Sequence, residues 1–307
     1  MTHSPHWAQI RECSLLWGMR LLFGIYRLLG RKALQLFLYP VVIYYWLVNS
    51  TARRASRDYL DKVALLLPAA GVRGSLWNSY RHFIGFANAI IDKLAAWAGL
   101  LSLADIAFQG RERLLADLEQ GKGVVLFGSH LGNLEVCRVI AYLDPVIKIN
   151  VLVHTKHAEK FNRLLKRYNP DSALNLLQVT EINAATAMLL AEKIELGELV
   201  IIAADRTPVG EKQRVSKVEF LGAPALFPQG PFILAALLNC PVYCLFCLKR
   251  RDKHTIIFEH FSDALTWPRT GREQAIQQAA QRYARRLQHY CLQAPLQWSN
   301  FYDFWRI

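Results

Sequence analysis

From residue 106 onward, short apolar runs alternate with longer segments whose apolar residues recur every three or four positions. The first kind reads as buried strand and the second as helix laid on a sheet. The pattern predicts strands at 106–108, 123–128, 148–153, 174–179, 198–204, 216–221, 241–248 and 255–260. It predicts helices at 111–119, 133–143, 157–168, 183–196, 230–239 and 271–292. Such alternation implies an α/β fold, a largely parallel sheet flanked by helices on both faces. Open sheets of this kind bind ligands beyond their strand carboxyl ends. His130, His154 and Asp205 all fall just past predicted strand ends.

The first hundred residues carry a different pattern. Segment 10–30 is apolar and aromatic on one side, with Arg11, Arg20 and Arg27 spaced along the other. Such a helix suits a membrane interface. Segment 33–48 is apolar but short for a span, which needs about 20 residues, and Gln35 and Pro40 interrupt it. Tyr39, Tyr44, Tyr45 and Trp46 are interface residues by preference. Basic residues flank both sides, so charge gives no crossing direction. The expectation is an in-plane anchor, with a single N-terminal span or two core helices as alternatives. Helices at 56–67 and 75–97 follow. The resulting division is 1–55 as membrane-anchoring helices and 56–307 as the main domain.

Charge and cysteine usage narrow the partners. The net charge of +13 over 307 residues points to an anionic partner: nucleic acid, anionic lipid or an acidic protein. A nucleic-acid role rests on charge alone, and the membrane-like N-terminal segments argue against it. The six cysteines form no paired framework, which favours a reducing compartment. Cys240, Cys244 and Cys247 lie in a predicted buried strand with no second ligand cluster, so no metal is expected.

The stretch G-V-V-L-F-G-S-H-L-G-N-L-E, residues 123–135, reads as strand, tight turn, helix. It presents His130 on an exposed turn and Glu135 in the first helical turn. Spacing alone proves little: an H-x4-[DE] match is expected roughly 0.7 times by chance, and three occur, at His130/Glu135, His154/Glu159 and His254/Glu259. Context favours the first, whose glycines allow a sharp bend or close substrate approach. No nucleophile elbow, Walker A loop, dinucleotide fingerprint or zinc-protease motif is present. What remains is a base without a protein nucleophile, suited to direct transfer. His130 would take a proton from a substrate hydroxyl that attacks a thioester, and a carboxylate would fix its tautomer. Glu135 is the first candidate for that carboxylate and Asp205 the second. Backbone N–H groups of the turn are the expected oxyanion donors.

These residues resemble a family. G-S-H-L-G-N-L-E is similar to the H-x4-[DE] block of bacterial lipid A secondary acyltransferases, glycerolipid-acyltransferase-like in fold. The segments I-A-A-D-R at 202–206 and F-L-G-A-P-A-L-F-P-Q-G at 220–230, and the tail A-P-L-Q-W-S-N-F-Y-D-F-W, resemble further blocks in the same order. Phe227 stands where the family often has Thr, and Arg206 where it often has Gln. The resemblance implies an O-acyltransferase on the cytoplasmic face of a bacterial inner membrane. It would need no cofactor, taking its acyl chain from acyl carrier protein or coenzyme A thioesters. The partners implied are acyl carrier protein, anionic membrane lipids and a lipid or glycolipid acceptor, with no nucleic acid. His130, Glu135 and Asp205 are the catalytic candidates. Gly132, Asn133, Lys156, Arg163 and Arg206 are the substrate-binding candidates, the cations for acceptor phosphates. The alternative is a non-catalytic lipid- or carrier-binding module on the same fold.

Overall fold

A computed structural model of the chain describes residues 16–97, 100–139, 147–153, 174–178, 184–207, 214–251, 253–268 and 270–306. His154, Lys156, Glu159, Arg163 and the predicted helix 157–168 lie outside them. The sheet has seven strands: β1 (Ile106–Gln109), β2 (Val124–Gly128), β3 (Ile149–Val153), β4 (Leu174–Gln178), β5 (Leu199–Ala203), β8 (Val242–Arg250) and β9 (Lys253–Ser262). Their order is β1-β9-β8-β2-β5-β3-β4. Five of the six pairings are parallel, and β8–β9 is the antiparallel exception. The parallel α/β expectation therefore holds.

Both faces of the sheet are covered, which is why β2 is apolar throughout. Val125 and Phe127 join a core with Tyr59, Leu60 and Val63 of α2 (Ser50–Leu66) and with Phe232 of the helix Gly230–Leu238. Tyr283 of the helix Arg272–Gln293 completes that core. Val124 and Leu126 face Ala96 of α3 (Leu76–Trp97) and Leu114 of α4 (Arg111–Glu119). Successive residues of one strand thus serve opposite cores.

A separate hairpin pairs β6 (Val215–Phe220) with β7 (Ala223–Pro228). The apolar pattern predicts β6 but misses β7, because Pro224 and Pro228 lack the N–H that a central strand needs. A two-stranded hairpin tolerates them. Its turn places Leu221 and Gly222 at φ 52° and 72°, the primed geometry that two-residue hairpin loops favour.

The N-terminal segments form one kinked helix, α1 (Leu16–Val48), broken at Gly30 with φ 78°. Its inner side packs on α3: Gln35 Nε2 donates to Asn88 Oδ1 at 2.8 Å and Trp46 Nε1 to Ser79 Oγ at 3.3 Å. On its outer side Leu28, Leu29, Leu36, Phe37, Val41 and Tyr44 are all more than half exposed. Among the described residues no single helix is long and apolar enough to cross a membrane; Leu28–Val48 and α2 meet at 91°. The division drawn at residue 55 falls inside α2, which spans Ser50–Leu66 and packs into the main core.

His82 ties the helical layer to the chain end. Its Nε2 donates to the Trp298 carbonyl at 2.7 Å, leaving Nδ1 to accept from the Ser56 hydroxyl at 3.0 Å. Burial lowers its pKa from 6.5 to about 4. Between those values the unfolded chain binds a proton that the folded chain refuses, so stability falls as pH drops from 6.5 toward 4. The loss attributable to this ring is about 3 kcal/mol. Urea unfolding at pH 7 and pH 4.5 should show it, and His82→Gln should flatten the dependence by a similar amount. An unchanged pH dependence in the variant would remove this role.

Candidate active site

The site begins with strand register. β2 and β5 are parallel neighbours, and Gly128 lies opposite Ala203. Two further residues along each strand bring His130 and Asp205 side by side. The Ala204 N–H continues the ladder to Gly128 O at 2.9 Å, and the Tyr283 hydroxyl donates to the same carbonyl at 2.7 Å. Both strand ends are thereby fixed before their polar side chains begin.

Asp205 is fully buried and accepts three hydrogen bonds. Oδ1 meets His130 Nδ1 at 2.8 Å. Oδ2 takes the His130 backbone N–H at 2.7 Å and Trp298 Nε1–H at 3.1 Å. Burial pushes this carboxyl up, but the charges of His130 and Arg206 and the hydrogen bonds of His130 outweigh it, so its pKa lies below the ordinary value. An ionised Asp205 accepts at Nδ1, so the neutral imidazole carries its proton there and its lone pair on Nε2. The ring side chain is 36% exposed, and Nε2 has no partner among the described residues. Burial is also the main influence on His130; with Arg206 it outweighs the attraction of Asp205, and the imidazole pKa falls below its usual value. The ring is therefore a free base at neutral pH.

Glu135 does not take Nδ1. Its carboxylate pairs with Lys93 Nζ at 3.1 Å, and the tautomer-fixing place is filled by Asp205, 75 residues away in sequence. The short spacing to Glu135 suggests otherwise only because sequence proximity stands in for contact. Residues 134–139 form a 3₁₀ helix, Leu134–Val139, where the pattern predicts the start of an α-helix.

The turn itself is strapped. Leu131 bridges Trp298, the Gly132 N–H donates to Gln297 O at 2.8 Å, and the Asn133 N–H donates to Cys247 O at 2.9 Å. The Ser299 N–H donates to His130 O at 2.9 Å. Gly132 has φ 71°, and a side chain there would collide with the Cys247 carbonyl, so only glycine fits. Asn133 is buried; its amide donates to Ala89 O at 2.9 Å and its oxygen accepts from the Glu135 N–H at 3.2 Å. Both residues hold the loop in shape. The N–H groups of His130, Leu131, Gly132 and Asn133 are each committed, to Asp205, Ser129, Gln297 and Cys247. They are not available to an oxyanion, contrary to expectation.

Arg206 directly follows Asp205 at the end of β5. It donates to Ser299 O at 2.9 Å and lies 5.7 Å over the Tyr302 ring, while its charge is felt by His130. Trp298 is a site residue that spacing arguments miss. Its indole holds Asp205, and its buried ring packs at 5.0 Å on both Tyr59 and Phe304. Its legible signal was the Q-W-S-N tail. Lys156 and Arg163 lie outside the described residues. Among the described residues no group of three or more His, Cys, Asp or Glu side chains is arranged to hold a metal ion.

The arrangement is a strand-end imidazole, oriented by a buried ionised carboxylate, with a guanidinium beside it. Comparison with curated proteins gives no match. The family model described as bacterial lipid A biosynthesis acyltransferase matches residues 82–306, a span that contains every member of this site. The chain belongs to the bacterial lipid A biosynthesis acyltransferase family.

Proposed function

We propose that the protein is an O-acyltransferase working at a membrane surface, with His130 as general base and Asp205 as its orienting partner. The carrying observation is the imidazole whose Nδ1 is held by buried, ionised Asp205 while Nε2 is left without a protein partner. The donor is an acyl thioester of acyl carrier protein or coenzyme A, and the acceptor a lipid or glycolipid hydroxyl. Nε2 takes the hydroxyl proton as the oxygen bonds to the thioester carbonyl carbon. The tetrahedral oxyanion collapses, the carbon–sulfur bond breaks, and the imidazolium returns its proton to the leaving thiolate. Arg206, beside the ring, is the proposed oxyanion partner in place of the committed turn amides.

The exposed apolar side of α1 supports membrane docking at the cytoplasmic face of the inner membrane. The net charge of +13 suits both anionic lipids and an acidic carrier protein.

Acyl transfer from radiolabelled thioesters of acyl carrier protein and coenzyme A to an inner-membrane lipid extract tests this directly. Wild type should label a lipid, and His130→Ala should lose the product. Folded wild type that labels nothing from either donor would favour a non-catalytic lipid- or carrier-binding module. The pH profile gives a second test. Because the His130 pKa is lowered, the acid limb of kcat/KM should lie below the ordinary imidazole value of about 6.5. Asp205→Asn should cut kcat about 10²–10⁴-fold and move the limb further down, since Asp205 raises that pKa. Glu135→Gln should leave the limb in place. The reverse ranking would reassign the orienting carboxylate.

A further inference from the structure

Two thiols meet behind the catalytic turn. Cys137 lies on the 3₁₀ helix Leu134–Val139 that leaves the turn, and Cys247 lies on β8. Both are buried in the core that faces α3 and α4. Their side chains hydrogen-bond each other, which is the proximity a disulfide demands. The backbone of Cys247 also holds the turn. Its carbonyl accepts the Asn133 N–H at 2.9 Å, and Gly132 bridges the same residue. A shift of Cys247 is therefore passed to Gly132 and Asn133, and through them toward His130.

The two sulfurs differ in character. The hydrogen bond from Cys137 draws the Cys247 thiol below its ordinary pKa despite burial, and a further hydrogen bond from His254 helps. His254 is itself placed beside Asp92, 3.6 Å from its Nε2. Burial raises Cys137, and the neighbouring Cys247 raises it further, so Cys137 keeps its proton and donates it. Burial pushes Cys240 and Cys244 up to about 12 and raises Cys291 well above the ordinary value. Among the described cysteines Cys247 alone is shifted toward the thiolate. A thiolate next to a resolving thiol is the arrangement of redox-sensing cysteines. The way in is a cavity of about 400 Å³ between α1, α3 and the ends of β8 and β9, which Cys247 and His254 line with Arg31, Asp92 and Lys249. The sulfur is covered at rest, which favours a small neutral oxidant over a bulky disulfide.

We infer that Cys247 and Cys137 form an oxidation site for hydrogen peroxide, and that their disulfide displaces the catalytic turn. The Cys247 thiolate attacks one peroxide oxygen, the O–O bond breaks, and the departing hydroxide takes up a proton to become water. Cys247 is left as a sulfenic acid. The Cys137 sulfur then attacks the Cys247 sulfur, giving up its proton as the S–O bond breaks and a second water leaves. The two thiols lose two electrons and two protons, and peroxide takes both to form two waters. A thiol reductant reverses the bond. Closure draws the 3₁₀ helix toward β8 across the base of the turn, and a small misplacement of a catalytic base is costly. The disulfide is independent of the acyl-transfer reading; only its effect on turnover rests on that reading.

The test treats the full chain with hydrogen peroxide in a Cys13→Ser background, since Cys13 lies outside the described residues. The protein is then blocked with N-ethylmaleimide in denaturant and mapped by peptide mass spectrometry. The Cys137 and Cys247 peptides should appear linked, about tenfold faster than oxidation at Cys240, Cys244 or Cys291. Cys137→Ala should stop at a Cys247 sulfenic acid that dimedone labels, and Cys247→Ala should leave Cys137 reduced. Linked protein should transfer acyl groups about 10²-fold more slowly and show altered hydrogen exchange across residues 129–139. Dithiothreitol should restore both. Failure of the two peptides to link, or oxidation no faster than at the other buried cysteines, would overturn the site. A link that changes neither transfer nor exchange would overturn its action on the turn. Reduced protein that transfers nothing, yet links and changes its exchange, sinks the catalytic reading alone; intact transfer without a link sinks this one alone.

Discussion

One buried carboxylate organises the active edge of this molecule. Asp205 receives the His130 ring, the His130 backbone N–H and the Trp298 indole. A desolvated carboxylate survives ionised only if its lone pairs are met by such donors. Satisfying it therefore joins three separate parts of the chain: the turn after β2, the strand end after β5, and the C-terminal tail. The tail then fastens the turn through Gln297 and Ser299, and His82 anchors the tail to the helical layer. Fold closure and catalytic geometry share the same hydrogen bonds.

That economy has a chemical cost for the turn. Its amides are committed to holding the histidine and are unavailable to substrate. In the proposed reaction, charge stabilisation would come from a side chain, for which Arg206 at the β5 end is the candidate.

Much of the fold was legible in the sequence because strands buried on both faces leave continuous apolar runs, as at 124–127 and 242–248. The strand β7 was hidden by its two prolines, and the kinked continuity of α1 by Gly30. His130 stood out from its glycine-bearing turn. Asp205 was legible as a residue past a strand end but ranked second to Glu135, because β2 and β5 are separated along the chain by β3 and β4, and adjacency of parallel strands leaves no local mark. An acid five residues away therefore drew attention that belonged to one 75 residues away. Asn133 drew attention as a polar residue beside the base; the structure adds that it is buried and that its amide donates to the backbone of Ala89. The cavity was illegible for the same reason as the dyad: Arg31, Asp92 and Lys249 come from three remote segments.

The central claim is that Asp205 fixes His130 as a neutral base with its proton on Nδ1. Nitrogen NMR of histidine-labelled protein, assigned with His130→Ala, measures this directly. At pH 7 the account requires a neutral His130 ring protonated at Nδ1, with Nε2 bare, and a loss of that tautomer's dominance in Asp205→Asn. A ring protonated at Nε2, or an imidazolium at pH 7, would contradict it.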